Sequence, residues 1–241
     1  MSGRQRIDGQ LGWILHSYPY SETSLILDVL TRDYGRLPLM ARGARRPRSA
    51  LRGVLQAFQP LELGWFGGGE VRTLAKAEWV GGMALLGGSA LMLGYYVNEL
   101  LLKLLPREDA HPALFEAYAA TLQALSRGES HACRLRLFEK TLLKELGYGL
   151  ALEREALSGQ PVLPDRTYHY LIERGPVEAE TGDDGDLSGL HGKTLLDLAR
   201  DDYSDAQTLS ESKQLMRMLI NHHLGGQLLQ SRRVFMELHE L

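Results

Sequence analysis

The sequence predicts an α+β protein: a small N-terminal five-stranded β-barrel followed by a mainly α-helical C-terminal domain that carries a small irregular insertion. Three observations carry this. Residues 11–80 hold about five short β-rich runs joined by turn residues. Past Gly87 and Gly88 the apolar residues fall into helical spacing. Residues 150–187 lose both patterns and mix prolines, glycines and acids. The barrel is therefore placed at 1–81, the helical domain at 82–241 and the insertion at about 150–187.

The first two strands are "LGWILHSY" and "SLILDVLT", separated by the turn-prone "PYSET". "GRLPLMARGA" supplies a third run, broken by Pro38 and Gly43, and "PLELGWFGGGEVRTLAKAEWV" reads as two strands around Gly67, Gly68 and Gly69. Two-stranded hairpins are marginal in water, so five such strands call for closure into a barrel. An oligonucleotide-binding barrel fits the count, and so does a five-stranded barrel of another topology.

In the helical part, "SALMLGYYVNELLLKLL" has Ser89 placed to cap its start and Pro106 just past its end. "PALFEAYAATLQALSRG" begins with Pro112, "SHACRLRLFEKTLLKELGYG" has Ser130 as a candidate cap, and Gly128 and Gly147 sit where helices stop. Within the insertion a hairpin is expected around "TYHYLIERG". Helices resume from Ser188 with "SGLHGKTLLDLAR" and "AQTLSESKQLMRMLINHHL", then a turn at Gly225 and Gly226 and a final "SRRVFMEL".

With 44% hydrophobic and 24% charged residues the composition is that of a folded globular chain. No apolar run approaches the roughly 20 residues needed to cross a bilayer, and "MSGRQRIDGQ" lacks the apolar stretch of a signal peptide, which points to the cytoplasm. Cys133 is the single cysteine, so neither an internal disulfide nor a multi-cysteine zinc site is available, and it reads as a small buried hydrophobe on a helix.

The net charge of -3 conceals a segregation of sign. From Arg32 to Arg52 seven arginines face one acid, Asp33, whereas from Ala151 to Glu211 fourteen acids face five Lys or Arg. Within "MARGARRPRSALRGVLQAF" (40–58) there is no acid at all. A solvated surface ordinarily mixes both signs, so this stretch suits a polyanion. Arginine forks contact several phosphate oxygens at once, and Gly43 and Pro47 suggest a loop that can follow a nucleic-acid backbone. Arg36, Arg42, Arg45, Arg46, Arg48 and Arg52 are the candidate DNA contacts. Of the barrel aromatics, Tyr34, Phe58, Trp65 and Phe66 are read first as core, and Tyr18 and Tyr20 as stacking platforms for bases.

Other tempting motifs fail on spacing. "GLHGKT" (189–194) has Leu187 where a phosphate loop needs glycine, and no strand precedes it. "GDDGD" (182–186) lacks the alternation and final glutamate of a calcium loop. His222 and His223 are adjacent rather than three or four apart, so they do not share a helix face. Glu22, Asp28 and Asp33 form no readable acid pair, and no Gly-x-Ser-x-Gly elbow is present. No catalytic residue, metal or cofactor is expected.

Three segments, "YSETSLILDVLT", "ARGARRPRS" and "LQAFQPLEL", resemble the amino-terminal part of the RecO family of bacterial recombination mediators, and "LFEKTLLKELGYG" (137–149) and "LGGQLLQSR" (224–232) resemble its later part. The resemblance implies an oligonucleotide-binding barrel, no enzymatic activity, and binding and annealing of single- and double-stranded DNA. It also implies help in loading RecA onto DNA coated with single-stranded-DNA-binding protein, with RecR as a partner. Many members carry four cysteines in a zinc-binding insertion; here residues 150–187 contain none, which implies a metal-free variant held by packing and hydrogen bonds. For the acidic, apolar-ended tail of the single-stranded-DNA-binding protein, "CRLRLFEKTLLKEL" offers Arg134, Arg136, Lys140 and Lys144 beside apolar residues. Two other readings stand beside this one. A protein-only adaptor would use the arginine loop on an acidic partner, and a nuclease would need clustered carboxylates and a divalent metal.

Overall fold

The computed structural model describes residues 6–129, 131–179 and 189–239. Its first elements are β1 (Arg6–Tyr20), β2 (Ser24–Thr31), β3 (Gly35–Ala41), α1 (Leu51–Val54), β4 (Leu61–Phe66), β5 (Arg72–Trp79), α2 (Gly88–Leu104) and α3 (Pro112–Ser126). There follow α4 (His131–Glu145), β6 (Thr167–Leu171), β7 (Gly175–Glu178), β8 (Leu190–His191), α5 (Gly192–Ala199), α6 (Ala206–His223) and α7 (Gln230–His239).

Strands β1 to β5 close into a barrel in the order β1-β2-β3-β5-β4, with β4 returning antiparallel to β1 and β3 meeting β5 in parallel. This is the strand order of the oligonucleotide-binding barrel, and it decides between topologies that strand count left open. Period-two alternation fills it: Leu25, Leu27 and Val29 of β2 and Leu37, Leu39 and Ala41 of β3 face the interior with Leu61, Leu63 and Trp65. Tyr34 meets Trp65 edge-on, with ring centroids 5.3 Å apart. Strand β3 runs through Pro38, where a break was expected. Pro38 is paired with Asp28 on one side, while pairing with β5 begins only at Leu39, so the missing N–H costs no ladder bond there.

In β1 the register shifts between Ile14 and His16, and the carbonyl of the extra residue, Leu15, accepts from Asn98 Nδ2 of α2 at 2.8 Å. Asn98 Oδ1 in turn accepts from the buried Tyr118 hydroxyl of α3 at 2.6 Å, and burial pushes that phenol's pKa up. Trp13 packs edge-on against the same tyrosine at 5.6 Å. The bulge thus marks where α2 and α3 dock on the barrel. Helix α7 joins them: the Glu99 carboxylate accepts from the backbone N–H of Gln230 (2.8 Å) and Ser231 (2.9 Å) and from Ser231 Oγ (2.7 Å).

The compact units do not follow the change of composition near residue 82. Residues 1–129 with 229–241 make one unit, and 130–228 make the other. Helix α2 starts at Gly88, so Ser89 lies inside its first turn and its side chain caps nothing. Pro112 opens α3 as expected, Gly128 and Gly147 have positive φ beyond the ends of α3 and α4, and Ser130 and Ser188 lie outside the described residues.

The second unit packs α4, α5 and α6 with a three-stranded sheet in the order β7-β6-β8. The expected hairpin forms, β6 pairing with β7, and β8 adds a strand that sequence did not reveal. Tyr168, Tyr170 and Tyr203 join Leu143, Leu195 and Leu219 in its core, and Cys133 packs half-buried against it. The Tyr168 hydroxyl also accepts from the Leu163 N–H at 2.9 Å, so the cysteine-free insertion is tied by an aromatic core and hydrogen bonds.

Candidate nucleic-acid interface

After β3 the chain enters a run of tight turns. Gly43 adopts φ +69°, Arg46 N–H returns to the Gly43 carbonyl at 3.1 Å, Ser49 N–H to Arg46 at 3.0 Å, and Arg52 N–H to Ser49 at 3.2 Å, leading into α1. The loop is pinned to the β1–β2 turn at two points. Arg45 N–H donates to the Thr23 carbonyl at 2.9 Å, and its guanidinium donates to the Ser21 carbonyl, also at 2.9 Å. Buried Ala44 anchors it to the barrel core. The result is an ordered loop whose Arg42, Arg45, Arg46, Arg48 and Arg52 are all exposed. Among the described residues none of the five has a carboxylate within ion-pair distance. Five exposed guanidinium groups without such a partner make this stretch a locally positive surface, whose charge is complementary to an anion.

Arg36 does not belong to it. Its guanidinium donates to Asp28 at 3.1 Å and to the Leu105 carbonyl at 3.0 Å, and only 12% of its side chain is exposed. Arg107 reaches the same carboxylate at 3.4 Å, and Glu108 pairs with Arg72 at 3.1 Å. Segment 105–109 therefore covers one half of the outer face of β2 and β3, the face with which such barrels commonly hold oligonucleotides. Arg36 holds this cover in place and is not a surface charge.

The other half is open. Outward residues of β1, β2 and β3 line up there: Tyr18 lies opposite Ile26, and Ile26 opposite Met40. Tyr18 is 44% exposed and Tyr20 48%, with Ile26 and Met40 half-buried. His16 leans on Tyr18, their ring centroids 4.4 Å apart. The two tyrosines singled out on sequence are thus at the surface, beside the loop that the arginines occupy. Ile26 and Met40 escaped notice because an apolar residue in a β-run reads as core; only the register assigns them outward.

Helix α4 does not assemble the expected receptor. Arg136 is buried and donates to Glu139 at 3.0 Å, and Lys140 donates to Asp201 at 2.7 Å and to the Leu198 carbonyl. Arg134 and Lys144 are exposed, but ten residues of helix separate them by about 15 Å. Four cations close in sequence are therefore not four cations on one face.

The phosphate-loop resemblance dissolves as well. Lys193 is held by Asp197 (2.6 Å) and Asp205 (2.7 Å), which raise its pKa, and Thr194 Oγ1 donates to Glu211 at 2.6 Å. Gly192 is required because a Cβ there would strike the Leu163 carbonyl. His223 stacks on Tyr148 at 3.8 Å along a cavity of about 370 Å³ that also bears Arg174 and Glu173. Residues 182–186 lie outside the described residues. Among the described residues no group of His, Cys, Asp and Glu is placed to hold a metal, and no helix is long and apolar enough to cross a membrane.

Two family models cover almost the whole chain: recombination protein O N terminal matches residues 9–83 and recombination protein O C terminal matches 87–233. The chain is 60% identical over 241 residues to the DNA repair protein RecO of Aromatoleum aromaticum, covering 100% of both chains. It is 54% identical over 244 residues to that of Dechloromonas aromatica, again covering 100% of both. With that of Ralstonia nicotianae it shares 52% over 236 residues, 98% of this chain and 86% of the relative. Matched at both halves and along its full length, the chain belongs to the RecO family of DNA repair proteins.

Proposed function

We propose that this protein is a recombination mediator that does no chemistry of its own. It binds single- and double-stranded DNA, anneals complementary strands, and assists loading of RecA onto DNA coated with single-stranded-DNA-binding protein. The observation that carries this reading is the ordered loop of five exposed arginines without carboxylate partners among the described residues, beside an open aromatic face of an oligonucleotide-binding barrel. Annealing needs two polyanions to approach, and a fixed positive surface lowers their mutual repulsion without ATP, cofactor or metal. The protein acts in the bacterial cytoplasm at the nucleoid, together with RecR. It also meets the acidic tail of the single-stranded-DNA-binding protein, through a surface other than a four-cation face of α4.

The test is the annealing rate of complementary strands coated with the cognate single-stranded-DNA-binding protein, comparing wild type with Arg42, Arg45, Arg46 and Arg48 changed together to alanine. Acceleration by the wild type and its loss in a folded variant is the expected outcome. Equal rates would reject the loop as a DNA surface and favour an acidic protein partner. Strand scission in magnesium or manganese would reject a role without chemistry.

A further inference from the structure

The arginine loop and the open strand face differ in what they can read. Arginine forks see phosphates, which a duplex and a single strand both display. The row Tyr18, Ile26 and Met40 offers no charge and no hydrogen-bond donor other than the phenol hydroxyl, only flat and apolar surface across three neighbouring strands, a width of about 10 Å. Lone exposed apolar residues need no explanation, but here exposed Tyr18 continues into half-buried Ile26 and Met40 on one face, and a second ring, His16, supports the tyrosine.

The occupant of this row follows from its border. Arg42 leaves β3 two residues beyond Met40, and residues 40–58 contain no acid, so whatever lies on the row must also carry dense negative charge. A nucleic-acid strand with unpaired bases combines the two, because its bases are free to turn their faces onto the protein while its phosphates follow the loop. A duplex keeps its bases stacked inside and presents only phosphate to such a surface.

We infer that Tyr18, Ile26 and Met40 form a base-stacking platform that gives the protein its preference for unpaired nucleic acid, while the arginine loop binds single and double strands alike. The inference rests on the nucleic-acid reading above and assigns the single-strand share of it to particular residues.

Three probes of one length separate the contributions: oligothymidylate, an abasic strand with the same number of phosphates, and a blunt duplex. Wild type binds oligothymidylate more tightly than the abasic strand. Changing Tyr18→Ala with Ile26→Ser weakens oligothymidylate binding about tenfold, the loss expected for one stacked base, and brings it to the abasic level. Binding of the abasic strand and the duplex stays unchanged, which also reports that the variant is folded. Tyr18→Trp, which keeps a ring in place, retains the preference. Equal wild-type affinity for oligothymidylate and the abasic strand overturns the inference while leaving the mediator reading intact, as does a parallel loss on all three probes. If wild type binds none of the probes, both fall, and an acidic peptide becomes the ligand of loop and row together.

Discussion

Asp28 shows how a single residue decides what its neighbours are free to do. Its side chain is 3% exposed, and Arg36 and Arg107 converge on one of its oxygens at 3.1 and 3.4 Å. Removing Arg36 takes away the closer, buried cation and leaves the carboxylate only the longer contact to the exposed Arg107, at a cost of about 3 kcal/mol, the low end for breaking a buried pair. Arg36→Ala is therefore expected to lower unfolding free energy in urea by about that amount, whereas Arg42→Ala, on the exposed loop, changes it by less than about 0.5 kcal/mol. Equal effects of the two substitutions would contradict the division between holding and binding arginines. His223 gives a second prediction at this scale. Burial, and then the neighbouring His222, hold its pKa below 6.5, with Glu173 opposing. In acid the unfolded chain then takes up a proton that the folded chain refuses, so stability falls as pH drops from about 6.5 to the depressed value and levels off below it. His223→Phe keeps a ring against Tyr148 and should flatten that part of the curve. Urea midpoints at pH 7.5 and 5.5 measure this, and an unchanged slope would clear His223 of the effect.

Elements differ in how plainly their residues announce them. The five barrel strands were readable because inward leucines and valines alternate with outward residues, and β2 was bounded to the residue, Ser24–Thr31. Helix α1 was not readable, since four residues within an arginine loop carry no periodicity. Nor was β8, whose two residues exist as a strand only through pairing with Thr167 and Tyr168. The platform and the α4 receptor show the same limit at the site. Outward Ile26 is set by strand register and Lys140 by Asp201 and the Leu198 carbonyl, partners distant in the chain that local sequence does not encode. Gly192 illustrates a residue whose reason is tertiary. It looked like part of a phosphate loop, yet its place is fixed by the Leu163 carbonyl lying against it. Gly192→Ala should destabilise the second unit by about 1–3 kcal/mol, the usual cost of forced overpacking, and leave nucleotide affinity absent in wild type and variant alike. Binding of a nucleoside triphosphate that this substitution abolishes would revive the phosphate-loop reading.

For the whole molecule, the informative electrostatic quantity is the placement of charge and not its sum. A net charge of -3 would repel DNA, so association must depend on a local positive surface and weaken with salt. If Arg42, Arg45, Arg46, Arg48 and Arg52 each engage a phosphate, the logarithm of the single-strand binding constant should fall against the logarithm of salt concentration with a slope of about -3.5, from roughly 0.7 per contact. Each arginine changed to alanine should then reduce the slope by about 0.7. Tyr18→Ala should lower affinity at every salt concentration and leave the slope where it was, because stacking releases no counterions. Titrations of wild type, Arg46→Ala and Tyr18→Ala across a salt series test both statements in one experiment. A slope that stays flat in wild type would remove the loop from DNA binding, and a slope that falls with Tyr18→Ala would mean that the tyrosine orders the loop and does not receive a base.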